Sequence, residues 1–444
     1  MLNSWLFKHI DNSALVVFRV MFGFLITVEA WGAIFSGWVQ RTLIDPPEFT
    51  FNFIGFDFLQ PLPGNLMLWY YGLMGLFGVF VMLGFKYRFS MFCYGLMWSC
   101  VYLMQKTSYN NHYYLLMLLC IIMLFLPAHR WLSIDARQNP EIRSISMPRW
   151  IWLVIVAQLW IVYTYASVAK LYPDWLDGTV PAILMRGKRD YWLVGEFLQQ
   201  PWIRYAITWF GLCFDLLIIP LLLWRKTRLS AFILAIFFHL FNSFVFHIGI
   251  FPYLSLAFII FFFPTQKVNK WFLRKKKPHY DKAEIIVPSY RKPLIAILAC
   301  WFIIQVSLPL RHWFFPDDVL WTEEGHRLSW RMMLRSKGGR SHFKVVEKGT
   351  TDTVYVRKNN FLSRKQQRSI DTKPDLLWQF AQFLEKKYAE EEGKQVEVYI
   401  DSKVSVNGGP YRTFIDPKVD MAKAEWKHLS HNDWILPSQP EEKE

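Results

Sequence analysis

Cysteine and the common nucleotide- and metal-binding motifs are scarce or missing in this chain. No P-loop, no dinucleotide-type glycine pattern and no HExxH helix occurs. That removes the commonest ATP-driven and zinc-dependent chemistries. Only five of 444 residues are cysteine, and Cys93, Cys100, Cys120, Cys213 and Cys300 all fall in apolar stretches. Residues 311–444 have none, so no disulfide framework holds that part together. Glycine follows no collagen-like period, and the apolar content rules out intrinsic disorder. No internal repeat or low-complexity segment is present.

What the chain has instead is apolar and aromatic surface. Hydrophobic residues make 53% of it, aromatics 18%, and the mean hydropathy is +0.16. Nine apolar windows stand out: 14–35, 66–83, 89–104, 113–126, 150–169, 205–224, 229–246, 251–263 and 293–310. A membrane-spanning helix needs ~20 such residues, so a polytopic helix bundle of about nine spans is expected. The first window lacks a small-residue cleavage site after it and reads as a retained helix. With the N-terminus inside, the inside ends carry 20 Lys and Arg against 7 on the outside segments, nine of the 20 between Lys267 and Lys292. Positive residues favour the cytoplasmic side, which sends residues 311–444 outside. The net charge of +15 belongs mostly to the first 310 residues, with 27 basic against 14 acidic. The basic run Arg274-Lys275-Lys276-Lys277 lies between two windows, so its expected partner is the lipid headgroup and not nucleic acid.

The hydrophilic tail reads as a small β-rich domain with one helix. Val396, Val398, Ile400, Val404 and Val406 alternate with polar residues and lead into the turn Asn407-Gly408-Gly409. Phe343–Val346 and Val354–Arg357 are two further strand candidates. Leu376, Leu377, Phe380, Phe383, Leu384 and Tyr388 recur at three and four, one face of an amphipathic helix. The expected domains are 1–310, spanning the membrane, and 311–444, extracytoplasmic.

Polar groups at membrane depth are costly and mark candidate functional sites. Four places qualify: the run Lys106–His112, Lys170 with Asp174 and Trp175, the group His239/Asn242/His247, and Asp215. Lys170 ends the fifth window. It is either a snorkelling anchor or, with its ammonium disfavoured by apolar surroundings, a neutral base. His112 opens the fourth window after Asn110 and Asn111, either as part of a helix cap or as a cavity residue. His239 and Asn242 share one helical face and serve either interhelical hydrogen bonding or a site; no carboxylate or Cys is spaced to make them a metal site. Asp215, Arg19 and Glu29 are expected to pair with one another or with backbone.

At these residues the sequence resembles a known family. Lys106-Thr107-Ser108-Tyr109-Asn110-Asn111-His112-Tyr113-Tyr114-Leu115 is similar to the membrane motif of vitamin K-dependent γ-glutamyl carboxylases and bacterial relatives with an HTTM domain. Ala169-Lys170-Leu171 with Asp174-Trp175-Leu176-Asp177-Gly178 resembles the segment that carries the family's proposed catalytic lysine. Phe238-His239-Leu240-Phe241-Asn242-Ser243 resembles a third stretch. Leu328-Ser329-Trp330-Arg331-Met332-Met333 and Phe414-Ile415-Asp416-Pro417 extend the likeness into the tail.

The resemblance implies a reduced naphthoquinone (vitamin K hydroquinone, from phylloquinone or menaquinone) as cofactor, with O₂ and CO₂ as co-substrates and no metal. A base removes the phenolic proton, oxygenation yields a strongly basic alkoxide on the way to the epoxide, and that alkoxide takes a γ-proton from a peptide glutamate. The carbanion then attacks CO₂. No side chain is basic enough for that proton at neutral pH, and the alkoxide survives only in a dry site. By the same likeness Lys170 is the base and His112 steadies the oxyanions, while Asn110, Asn111, His239, Asn242, Asp174 and Trp175 are expected to bind the cofactor. Partners would be a glutamate-containing peptide, the naphthoquinone and membrane lipid. Arg186-Gly187-Lys188-Arg189 departs from the family's more aromatic stretch, so propeptide-guided substrate choice is expected to be absent or different. The cysteine-free exterior favours a bacterial inner membrane over the endoplasmic reticulum. Two other readings stay open: quinol epoxidation without carboxylation, and a non-enzymatic lipid or quinone carrier.

Overall fold

The computed structural model describes residues 2–45, 49–279, 284–350 and 352–439. Lys282, one of the basic residues counted above, lies outside them. Each apolar window folds into a helix: α1 (Ser13–Phe35), α2 (Leu66–Leu83), α3 (Tyr87–Met104), α4 (Asn111–Phe125), α5 (Arg149–Val168), α6 (Pro201–Leu223), α7 (Arg228–Phe246), α8 (Phe251–Phe258) and, after the short amphipathic α9 (Thr265–Phe272), α10 (Arg291–Leu310). Among the described residues six helices are long and apolar enough to cross a membrane: α1, α2, α5, α6, α7 and α10. The other three windows fall short for physical reasons. The 15 residues of α4 rise about 22 Å against a hydrocarbon core of ~30 Å. With its 3₁₀ extension to Phe262, α8 is shorter still. Arg88, Ser90 and several tyrosines dilute the apolar content of α3.

Small residues set the closest helix contact. A Cβ on Gly23 of α1 would strike the Met82 backbone of α2, one on Gly75 the Trp31 indole, and one on Gly78 the Thr27 hydroxyl. Without a hydrophobic drive between helices in lipid, such close backbone approach carries the packing. Polar contacts hold the last helix: Trp301 Nε1 donates to Gln158 Oε1 (2.9 Å), Gln158 Nε2 to Gln305 Oε1 (3.2 Å), and Gln305 Nε2 to the Tyr114 hydroxyl (3.3 Å). Arg19, expected to pair with an acid or with backbone, takes the second course and donates both terminal nitrogens to the carbonyls of Trp131 and Leu132.

The tail folds around a four-stranded antiparallel sheet in the order β4-β3-β5-β6, after a two-stranded pair β1 (His9–Asp11) and β2 (Ser146–Pro148) in the membrane part. The long strands β3 (Lys337–Glu347) and β5 (Val396–Val406) form its centre; β4 (Thr353–Tyr355) and β6 (Arg412–Thr413) are short edges. Phe343 opposes Ile400 and Val345 opposes Val398. Their inward side chains meet Leu376, Leu377, Phe380 and Leu384 of α11 (Pro374–Glu392), all fully buried. Phe383 and Tyr388 pack at the rim of this core.

The tail is locked onto the membrane part. Phe51, from the loop between α1 and α2, is buried in the tail's core, and Gln379 Nε2 donates to Asn52 O (3.0 Å). Trp330 stacks on Tyr114 at 4.9 Å. There Asp375 forms an ion pair with Lys106 Nζ (2.5 Å) and accepts from Arg327 Nη1 (2.7 Å), and both Lys106 and Asp375 are buried. Burial alone would raise the Asp375 carboxyl, but Arg327 and Lys106 outweigh it and hold it well below the usual carboxylate range. Its contribution to stability is therefore complete above about pH 4 and fades as pH falls from there toward the lower folded-state value. Asp375→Asn leaves the buried Lys106 and the partly buried Arg327 short of their anion and is expected to cost roughly 3–5 kcal/mol, read as a lowered unfolding midpoint in detergent. An unchanged midpoint would show that the cluster is solvated.

Candidate active site

One chamber of about 440 Å³ gathers polar groups from four helices under the tail. That size suits a small cofactor, for which pockets run ~300–1,000 Å³. Its walls are apolar: Phe210, Phe238, Phe246 and Trp175 line it, and Phe214 backs Phe238, with the rings stacked at 3.9 Å. Met332 and Met333, from the tail, close one side.

Lys170 lies one turn beyond the last residue pair of α5 that faces inward. Its Nζ donates to Ala166 O (2.9 Å) and to Asp215 Oδ2 on α6 (2.5 Å). Both side chains of this pair are only 8% exposed. A snorkelling lysine would carry its ammonium to water; this one turns inward to a carboxylate. Pro173 then starts the short helix Pro173–Leu176, which returns the chain so that the Trp175 ring lies 5.5 Å from Nζ.

His112 stands in the first turn of α4, fixed there by the Asn110 cap, whose side-chain oxygen accepts from Tyr113 N (2.8 Å). Its ring stacks on Phe251 at 4.1 Å. Its Nδ1 is buried and has no hydrogen-bond partner among the described residues. Buried polar atoms are seldom left so, and His112 is among the residues that line the chamber. His239 sits behind the wall with Nε2 2.9 Å from the hydroxyl of Tyr163, and Tyr163 and Asn242 face the chamber.

The structure thus brings His112, Lys170, Trp175 and Asn242 together around one space, with His239 one hydrogen bond behind it. Three expected cofactor residues lie elsewhere. Asn110 is spent on its helix cap. Asn111 donates to Arg331 O (2.8 Å) and accepts from the Tyr109 hydroxyl (2.8 Å). Asp174 accepts from Asn407 Nδ2 (2.8 Å) at the turn after β5. Asn111 and Asp174 therefore dock the tail and do not line the chamber. His247 caps α7 with φ 52° and is exposed, so it does not join His239. Asp215 pairs with Lys170 and not with Arg19 or Glu29.

Two family models match the chain. Residues 7–267 match the HTTM domain, and residues 290–441 match the vitamin K-dependent gamma-carboxylase lumenal domain. No solved structure matches it. A chamber of paired lysine and unsatisfied histidine, roofed by the second matched region, is contained within the span of these two models. The chain belongs to the vitamin K-dependent gamma-carboxylase family of HTTM-domain proteins.

Proposed function

We propose that this protein is a γ-glutamyl carboxylase that couples O₂-dependent epoxidation of a reduced naphthoquinone to carboxylation of peptide glutamate with CO₂. The observation that carries the reading is the buried Lys170–Asp215 pair lining the same apolar chamber as His112. A carrier needs no proton-transfer pair beside its ligand. The two separate hydrophobic cores support a division into a membrane domain, 1–310, and an extracytoplasmic domain, 311–444. All nine windows crossing the bilayer, with a cytoplasmic N-terminus and a periplasmic tail in a bacterial inner membrane, accords with the Lys and Arg distribution.

Reduced vitamin K, when bound, supplies together with O₂ a base strong enough for the glutamate γ-proton. The chain's own residues do the rest. Lys170 Nζ donates to Asp215 Oδ2 over 2.5 Å, which gives a proton a direct path between them. Lys170 passes one to the carboxylate and takes the phenolic proton in its place, so the ammonium ends beside the new anion and Asp215 ends neutral. That exchange keeps one positive charge in the chamber and avoids burying an unpaired one. His112 contributes a donor toward developing negative charge. The phenylalanine walls and the methionine pair exclude water, which would otherwise quench the strong base.

Purified protein with reduced vitamin K, O₂, labelled bicarbonate and a glutamate-containing peptide is expected to yield both epoxide and acid-stable label. Epoxide without label would leave a quinol epoxidase, and neither product would leave a carrier.

A further inference from the structure

A second chamber, of about 220 Å³, lies on the other side of α4 from the first. His112 faces one chamber and its neighbour Tyr113 the other. The second is lined in part by Glu29, a carboxylate on α1 six residues before that helix ends, which is about 9 Å along its axis. Around it stand the rings of Trp38, Tyr71, Trp98, Tyr102 and Tyr113. Glu29 accepts a hydrogen bond from Tyr113, and among the described residues no cation faces it. The Tyr102 hydroxyl is buried without a hydrogen-bond partner among the described residues. The side toward lipid is open: Val28 is half exposed, and a Cβ on Gly32 would meet nothing within 4 Å.

An intramembrane carboxylate without a countercharge is a functional site by default. Aromatic faces attract cations, and a carboxylate beneath them supplies the charge that makes a buried ammonium affordable. Lys365 already shows the affinity of the rim, with Nζ 5.8 Å from the Trp38 ring centroid and donating to Ser108 Oγ (2.8 Å). The same carboxylate repels anions. The portal admits an apolar chain, and the free Tyr102 hydroxyl offers a donor to an oxygen close to the ammonium.

We infer that this chamber binds the ammonium head of an amphiphile that enters from the bilayer, with Glu29 as its counter-ion. Two sources share that chemistry, an aminophospholipid and a free long-chain amine. In neutral maltoside detergent, dodecylammonium is expected to bind saturably at one site and dodecanol not to. Glu29→Gln, which keeps shape and an acceptor for Tyr113, should weaken that binding at least tenfold. Gly32→Phe, which narrows the portal and leaves the carboxylate intact, should weaken it too. After reconstitution in vesicles of equal phosphatidylethanolamine and phosphatidylglycerol, native mass spectrometry distinguishes the sources. Phosphatidylethanolamine retained by the wild type and lost from Glu29→Gln identifies the lipid; dodecylammonium binding without such retention identifies a free amine. Absence of saturable binding, equal binding of dodecanol, or undiminished binding by Glu29→Gln overturns the inference.

Discussion

Lys170→Arg is expected to lose epoxidation and carboxylation together, by roughly 10²–10⁴-fold, the usual contribution of a positioned acid–base group. The substitution keeps the positive charge that Asp215 faces across 2.5 Å, so the chamber stays neutral and the protein folds. It removes the one thing a base needs, because a guanidinium does not lose its proton in a protein. Lys170→Ala is a poorer test taken alone. It leaves Asp215 buried without its cation, at a cost of roughly 3–5 kcal/mol. Lys170→Ala combined with Asp215→Asn removes both charges and restores neutrality. This double variant should fold and be inactive, and a small exogenous amine occupying the vacated space should return part of the epoxidation. Near-normal turnover by the Arg variant, or a double variant that works without added amine, would take Lys170 out of the reaction.

The same pair shows where the sequence was legible and where it was not. Composition and apolar run length identify the helices, because lipid leaves a spanning segment little choice but to be helical and apolar. Every window became a helix, yet α4 and α8 are too short to cross by length alone, since a run of apolar residues does not reveal where neighbours will cover its ends. The period of two in Val396–Val406 and the three-four repeat of α11 were readable because one face of each is buried against the other. The site was half readable. Lys170 and His112 stood out as polar residues at window ends, but pairing across 45 residues is a tertiary fact, so Asp215 had no visible partner. Asn110, Asn111 and Asp174 stood beside those residues in the chain. Adjacency along a helix turns neighbours about 100° apart, and these three point to the cap and to the tail instead of the chamber.

That docking also decides how the role of the tail is tested. Deleting residues 311–444 would strip Phe51 of its core and leave Lys106 buried without Asp375, so loss of activity would report loss of folding. Met332 and Met333 are better targets, because they touch the chamber and not the charge cluster.

His112→Ala is expected to slow epoxide formation by about 10²–10³-fold, the cost of losing one preorganised donor to a developing anion. The ring's position makes the effect specific. Stacking on Phe251 at 4.1 Å fixes its plane, the Asn110 cap fixes the start of its helix, and the buried Nδ1 makes no other hydrogen bond among the described residues. A donor held this way needs no reorganisation when charge appears, which is what makes it effective in an apolar chamber. Truncation also removes the stacked ring, so His112→Phe serves as the control that keeps the aromatic contact and lacks the nitrogen. If the nitrogen matters, His112→Phe and His112→Ala should be equally slow, both with kcat reduced far more than the apparent affinity for the reduced quinone is weakened. His112→Gln, which offers an amide donor from a similar length of side chain, should recover part of the rate. Wild-type epoxidation by His112→Phe would show that the ring is there for packing, and the oxyanion role would fall.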